Sequence, residues 1–512
     1  MMKKQLIQAA GLITGIAIIS KVLGFVRELL MASYFGTSTV ADAYFVASII
    51  PVLLFSAVGM SITTGIIPLY AELKKQHSLE ARNVVGVLTT LFLILALAIT
   101  VIAILFTPII TQWMAPGFTE EQWYVTNVLT IIMLPSFCFY VLSAVSTGIL
   151  EYEKEFAPPA MGAIPQNILI IISIVVLSQF YGIYGVAIAT LLGAISQFLV
   201  QYPFIKKYKV IRLNFHFKTY SLFIKRTFFS FMPLIITSIA FQFNTVIDRF
   251  FASGLIDGSV SALNYANKLM FLPLSIILLS FITVLFPSII DTAAENKKEL
   301  IPLIISGMTI ISLVGIPISA VMLIESRTLI EVAYERGAFN TNATTITSIA
   351  FFFYSIGMIA IALKEFLNRS FIALQNEKMT MIAAIVSIIV NIIFSLILTP
   401  LMGIGGVALA TSISMVSQTA VLLYFLRKEL DIPRKEMKDL LFSQGKVLTM
   451  FLLVTGVLFG LHKLYHSYLP ALLSISVTTF IAVIFTILVA TLLRISEMEK
   501  LTEWARTLKR KF

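Results

Sequence analysis

The chain has 512 residues and a net charge of +11, yet only 12% of its residues are charged and 58% are hydrophobic. A soluble globular chain is about one quarter charged, so a water-soluble enzyme, a disordered protein and a disulfide scaffold are all excluded. Cys138 is the single cysteine, which rules out an intramolecular disulfide and a Cys-based metal site.

A helix needs about 20 mostly apolar residues to cross the hydrocarbon core. Such runs begin near Ile7, Ala41, Val84, Val125, Pro159, Ile183, Phe229, Val260, Leu300, Thr344, Met379, Ile404, Val447 and Leu472. They predict an all-α polytopic membrane protein of about fourteen transmembrane helices. The first run is not a cleavable signal peptide, because it continues through Lys21 and Arg27 with no small-residue cleavage site. An even number of spans puts both termini on one side. Most of the 37 Lys and Arg residues fall in loops on that side, while the opposite loops hold only Arg327, Arg336 and Lys463. By the positive-inside rule both termini are cytoplasmic, and the charge of +11 is mainly a topology signal rather than a nucleic-acid footprint. The segment 206–226 interleaves Lys and Arg with Tyr, Phe, Ile and Leu, and reads as a stretch lying on the inner leaflet.

The chain also repeats itself. Residues 182–190, GIYGVAIAT, recur as GIGGVALAT at 403–411, identical at seven of nine positions with an offset of 221. The same offset lays Arg27-Glu28 over Asp248-Arg249, and Asp42…Pro51 falls close to Asn264…Pro273 at an offset of 222. Close helix packing in membranes accounts for shared Gly and Ala, but not for charged pairs at one offset. Duplication is the better reading. Each copy holds six spans, so both have the same orientation: a parallel repeat of two six-helix lobes around a central cavity. The expected division is a lobe at 1–205, a basic cytoplasmic linker at 206–228 and a second lobe at 229–428. A further part at 429–512 holds a cytoplasmic loop, helices 13 and 14 and a basic tail.

Nine ionisable residues fall inside spans: Lys21, Arg27, Glu28, Asp42, Asp248, Arg249, Lys268, Lys364 and Glu365. Each costs roughly 2.5–3.5 kcal/mol at a helix centre, so they should face the bundle interior or water. Lys21 and Glu28 share one helical face two turns apart and can form a buried pair. Arg27 lies about 100° round the helix from Glu28, which points it at an anionic ligand instead. Arg27 and Asp42 lie toward span ends, where snorkelling lowers the cost. Lys268 stands among Leu269, Met270, Phe271 and Leu272 and is read as facing the cavity. Lys364-Glu365 is either a neutralised local pair or a lower rung of a substrate path.

No catalytic constellation emerges. His77, His216, His462 and His466 lie in loops or near span ends, and the His462/His466 pair, four residues apart, reads as a solvated outer loop before it reads as a metal chelate. There is no Walker A sequence, which leaves an ion gradient or the membrane potential to drive a transporter.

The residues Ser20-Lys21-Val22-Leu23-Gly24-Phe25-Val26-Arg27-Glu28, Tyr34-Phe35-Gly36 and Ala41-Asp42-Ala43-Tyr44-Phe45-Val46-Ala47 resemble the N-terminal signature of the MurJ (MviN) lipid II flippases. Those belong to the multidrug/oligosaccharidyl-lipid/polysaccharide exporter superfamily. Met114-Ala115-Pro116-Gly117-Phe118, Tyr265-Ala266-Asn267-Lys268-Leu269-Met270 and the segment 403–411 are similar to the family too, so the resemblance runs in order along nearly the whole chain. It implies two six-helix lobes plus a terminal helix pair in a bacterial cytoplasmic membrane. It also implies that Arg27, Asp42 and Lys268 line the cavity and engage a lipid-linked diphosphate, with Lys21, Glu28, Lys364 and Glu365 as further wall charges. A sodium site would fall at Asp248, Asn391, the Val407 carbonyl and Thr411, with Ser395 where relatives can carry a second carboxylate. The implied partners are the lipid-linked glycan, membrane lipids and the cell-wall synthesis machinery.

The leading expectation is therefore an alternating-access flippase for undecaprenyl-diphosphate-linked peptidoglycan precursor, not an enzyme. Within the same fold, a flippase for a capsular, teichuronic or exopolysaccharide unit is the alternative. A drug/cation antiporter would want an acid-rich cavity, which five cations against four acids disfavour. A non-transporting envelope scaffold leaves the clustered intramembrane charge unexplained.

Overall fold

A computed structural model describes residues 2–495 apart from 77, 296, 467 and 494. His77 and the basic tail beyond 495 lie outside the described residues. The first half holds α1 (Met2–Phe35), α2 (Thr39–Gln76), α3 (Ser78–Leu105), α4 (Thr107–Met114), α5 (Glu120–Met133), α6 (Ser136–Tyr152), α7 (Ala157–Met161), α8 (Ala163–Ile172), α9 (Ser178–Lys206) and α10 (Ser221–Ser253). The second holds α11 (Ser259–Pro273), α12 (Leu279–Glu295), α13 (Lys297–Ile324), α14 (Ser326–Tyr334), α15 (Thr341–Ala373), α16 (Glu377–Met402), α17 (Ile404–Glu429), α18 (Arg434–Tyr465) and α19 (Ala471–Leu492). No strand occurs among the described residues.

Eleven helical stretches among the described residues are long and apolar enough to cross a membrane. One of them, Ala157–Lys206, breaks at Gly182, whose φ of 53° and ψ of −139° leave helical geometry. Counting its two halves separately, and adding the 34-residue α1 and 33-residue α10, brings the helices of spanning length to the fourteen expected. Single π-helical turns, at Ser173–Leu177 between α8 and α9 and at Leu274–Leu278 after Pro273, join helices without ending the span.

The outer surface is apolar where a soluble protein would be polar. Leu105, Val284 and Leu401 are each more than 70% exposed, as lipid-facing side chains should be. Several Thr within the spans satisfy their hydroxyls on the preceding turn, as Thr126 does on Gln122 O at 2.7 Å and Thr130 on Thr126 O at 2.7 Å.

By their contacts the residues divide into two units, Met1–Ser261 with Arg336–Phe339, and Ala262–Glu335 with Asn340–Phe512. This division lies C-terminal to the linker expected at 206–228, because α10 packs on α2. The first unit centres on Ile62, Ile66, Leu88, Phe137, Val141, Val145 and Ile149 of α2, α3 and α6. The segment expected on the inner leaflet is tied to α3. Val210 is buried in that core, and the Asn214 backbone N–H donates to Thr90 Oγ1 at 2.8 Å, while Leu213 and Phe215 stay exposed. In the second unit α18 and α19 pack on α13 through Met450, Val454, Leu458, Ala482 and Ala490 against Leu313, Ile316 and Ala320.

Candidate functional site

The polar centre of the first unit is built on Arg27. Its Nη2 donates to Glu28 Oε1 at 2.6 Å and its Nη1 to Asn167 Oδ1 at 3.2 Å. Asn167 on α8 is itself fixed, with Nδ2 donating to Ala163 O at 2.8 Å. Around this pair stand Tyr44, whose Oη is 3.1 Å from Thr190 Oγ1, and Tyr140, whose Oη accepts from Gln166 Nε2 at 2.8 Å. Both phenols lie within electrostatic reach of Arg27.

This corrects the expectation of an Arg27 without an acid partner. An angle of about 100° between adjacent helical positions separates the Cβ atoms, but a guanidinium on a flexible three-carbon stem swings back across it. The expected Lys21–Glu28 pair is not formed: Lys21 is exposed, and the Glu28 carboxylate takes Arg27. The Arg27 side chain keeps 26% of its surface accessible while Glu28 keeps 6%. A guanidinium carries five N–H donors, so two bonds orient the group and leave donors for an anion.

Asp42 was expected to face a ligand from a span end. It is 2% exposed, and both oxygens are engaged within the first unit. Oδ2 accepts the Gly258 backbone N–H at 2.7 Å and Oδ1 the Ser261 backbone N–H at 2.7 Å. These are N–H groups at the start of α11, which have no partner within their own helix. Asp42 therefore anchors that helix start, with charge of the sign the helix dipole favours.

In the second unit Lys268 is exposed on α11, on the face opposite buried Ala266 and Met270. Lys364 and Glu365 on α15 pair with each other, Nζ to Oε1 at 2.8 Å. Neutral oxygens gather on α16 and α17. Ser395 Oγ donates to Asn391 Oδ1 at 3.2 Å, and Thr411 Oγ1 to the Val407 carbonyl at 3.2 Å. Asn391 and Ser395 are fully buried. The fourth expected ligand, Asp248, is a buried residue of the first unit. These are hard oxygen donors of the type a sodium ion takes, so the donor chemistry fits that ion.

Sequence reasoning missed Asn167, Gln166, Tyr44 and Tyr140. None carries a charge, so the cost of intramembrane charge does not mark them in the sequence.

The family model "Lipid II flippase MurJ" matches residues 31–495. The chain belongs to that family. Among MurJ relatives, a probable lipid II flippase of Buchnera aphidicola from Acyrthosiphon pisum is 30% identical over 78% of this chain and 79% of its own length. One from Treponema pallidum is 26% identical over 89% of this chain and 88% of its own. A solved lipid II flippase MurJ in an inward closed conformation superposes with a TM-score of 0.79 at 28% identity, covering 94% of this chain and all of that one. An inward-facing multidrug resistance transporter of the MATE family matches with a TM-score of 0.67 at 16% identity, over 81% of this chain and 98% of that one, and shares the fold. The family is one of transporters, not enzymes.

Proposed function

We propose that this protein flips lipid II, the diphosphate-linked peptidoglycan precursor, across the bacterial cytoplasmic membrane by alternating access. The observation that carries the reading is Arg27, oriented by Glu28 and Asn167 in a polar centre with about a quarter of its side chain, 26%, still accessible. A diphosphate concentrates negative charge, and in a low-dielectric wall a fixed guanidinium recognises it with two parallel bonds. Lys268 supplies a second cation from α11, and Lys21, Lys364 and Glu365 set the charge along the path. Membership of the MurJ family supports the same substrate.

In this reading both termini face the cytoplasm, on the strength of the loop-charge asymmetry. The two copies of the repeat act as the moving lobes, and the polyprenyl tail stays in lipid beside α18 and α19. Sodium at Asn391, the Val407 carbonyl and Thr411, or the membrane potential, provides the driving force.

Depletion of the protein in its own host tests the proposal. Lipid II should accumulate on the inner leaflet and be relieved by the wild-type chain. Normal peptidoglycan with loss of a capsule would assign a different lipid-linked glycan.

A further inference from the structure

The C-terminal end of α18 and the corner between α13 and α14 hold a cluster that the flippase reading does not use. Glu325, between those two helices, is fully buried. Its Oε1 accepts from Ser474 Oγ at 2.8 Å and from Thr478 Oγ1 at 2.5 Å, both on α19. Its Oε2 is buried with no hydrogen-bond partner. His462, on the last turn of α18, brings Nε2 to 3.3 Å from Glu325 Oε1, yet that nitrogen also has no hydrogen-bond partner. His466 follows one turn later with its ring centroid 4.3 Å from that of His462 and its Nδ1 3.4 Å from Ser474 Oγ.

Two features of this arrangement fit poorly with a simple ion pair. A charged His–Glu pair would align into a hydrogen bond near 2.8 Å. Here nitrogen and oxygen lie side by side, unaligned, at the edge-to-edge spacing of two ligands on one metal. Bond lengths of about 2.1 Å at tetrahedral angles place ligand atoms about 3.4 Å apart. The second feature is the bare Oε2. A buried carboxylate oxygen without a donor costs several kcal/mol unless a cation meets it.

We propose that Glu325, His462 and His466 form a binding site for a divalent late transition-metal ion of the zinc class. One ligand atom from each of the three residues lies within 4.8 Å of the others. Two imidazoles and one carboxylate are a donor set that zinc takes in preference to magnesium or calcium. Ser474 and Thr478 orient the carboxylate through Oε1 and leave Oε2 for the ion. His466 is exposed, so the ion enters from solvent and a fourth position stays open to water. The bound ion ties α18 to the α13–α14 corner, fixing the C-terminal helix pair at one end by a bond stronger than the apolar packing of Met450, Val454 and Leu458 alone.

The test uses the full chain in detergent, stripped with EDTA and titrated with ZnCl2 against a chromophoric chelator. Wild type should bind one zinc ion, and His466→Ala and Glu325→Gln should each weaken it 10-fold or more, in line with the loss of a ligand. His466 is exposed, so its alanine variant should fold as wild type does; His216→Ala, remote in sequence and on another loop, should leave binding unchanged. Substitution with Co2+ should give the intense visible bands of a tetrahedral site in wild type and not in His466→Ala. Equal zinc affinity in wild type and His466→Ala, or the absence of tetrahedral cobalt bands, would overturn the site.

Discussion

Gly182 and Gly403, 221 residues apart in sequence, share one unusual backbone geometry: φ 53° and ψ −139° at the first, φ 57° and ψ −130° at the second. Each breaks a long apolar stretch into two helices. Three residues on, the correspondence continues, since Gly185 packs on Leu177 and Gly406 on Leu398. The sequence repeat is thus a repeat of structure.

Alanine at these positions separates backbone strain from crowding. No atom lies within 4 Å of a Cβ built at Gly182 or Gly403, so Gly182→Ala and Gly403→Ala should each cost about 1–3 kcal/mol through the backbone alone. A Cβ at Gly406 would stand 2.2 Å from Leu398 O, and one at Gly185 3.1 Å from Leu177 Cβ. Gly406→Ala should therefore be the most damaging of the four. Thermal unfolding of the purified variants ranks them, and a Gly182→Ala protein as stable as wild type would remove the left-handed break.

Arg27→Ala should abolish flipping while the protein inserts and accumulates normally. Glu28→Gln keeps the shape of the partner but removes its charge, so it should leave Arg27 more open to anions and retain at least part of the activity. Asn167→Ala removes a bond from a charged donor worth roughly 1.5–3 kcal/mol and should lower transport about 10-fold or more. Complementation of a depleted strain at matched expression is the measurement. Growth supported by Arg27→Ala would take Arg27 out of the mechanism.

Asp42 has its bonds 216 and 219 residues away, to Gly258 and Ser261. Asp42→Asn puts an amide N–H against one of those backbone donors, and Asp42→Ala leaves both without the carboxylate. We expect each to lose about 1–3 kcal/mol of stability along with transport. A variant with unchanged melting temperature and weakened substrate binding would instead put Asp42 on the ligand, as the sequence resemblance implied.

These residues also show what could be read from the chain and what could not. Spans were legible because lipid demands long apolar runs, and the repeat because residues 182–190 kept seven of nine identities. Intramembrane charge singled out Arg27 and Asp42 for its cost. Their partners stayed hidden for separate reasons. Glu28 adjoins Arg27, and helical angle alone argued against the pair. Asn167 is neutral and 140 residues from Arg27, and the backbone N–H groups that hold Asp42 exist at every residue. Glu325 lies 137 residues before His462, a distance only folding closes.

Between spans, Glu155 accepts from Lys207 Nζ and, at 2.8 Å, from Tyr208 Oη. Burial raises the Glu155 carboxyl, but the Lys207 and Tyr208 bonds and the Lys207 charge outweigh it and hold it below the usual 4.5. The bond to Glu155 raises the Lys207 ammonium above 10.5. A depressed carboxyl contributes stability above its unfolded value and loses it as pH falls through the folded one; a raised ammonium contributes below its unfolded value and loses it as pH rises through the folded one. The cluster should therefore contribute most between the two. Melting curves of wild type and Glu155→Gln should differ at pH 7 and converge in acid. The gap should be smaller than for Gly406→Ala, because water screens an exposed pair. A gap that widens in acid would reverse the assignment.

Lys268 decides whether the second unit supplies a cation to the substrate. It is exposed on α11 although its chain neighbours Leu269 and Met270 are apolar, and the opposite face of the helix is packed through Ala266 and Met270. An ammonium within a span is costly unless water, an acid or an anionic ligand meets it. If a diphosphate is that ligand, the charge is what it needs at this position, and a guanidinium supplies the same charge with a wider fork. Lys268→Arg should then retain transport. Lys268→Ala should lose about 10-fold or more, the worth of one charge-assisted bond. Lys268→Glu should fail most severely, because it sets a carboxylate against the phosphates. The measurement is a transport assay at matched expression, read beside a melting curve so that misfolding is seen separately. Equal activity for the Ala and Arg variants would make Lys268 a snorkelling residue and leave Arg27 as the cation on which binding depends.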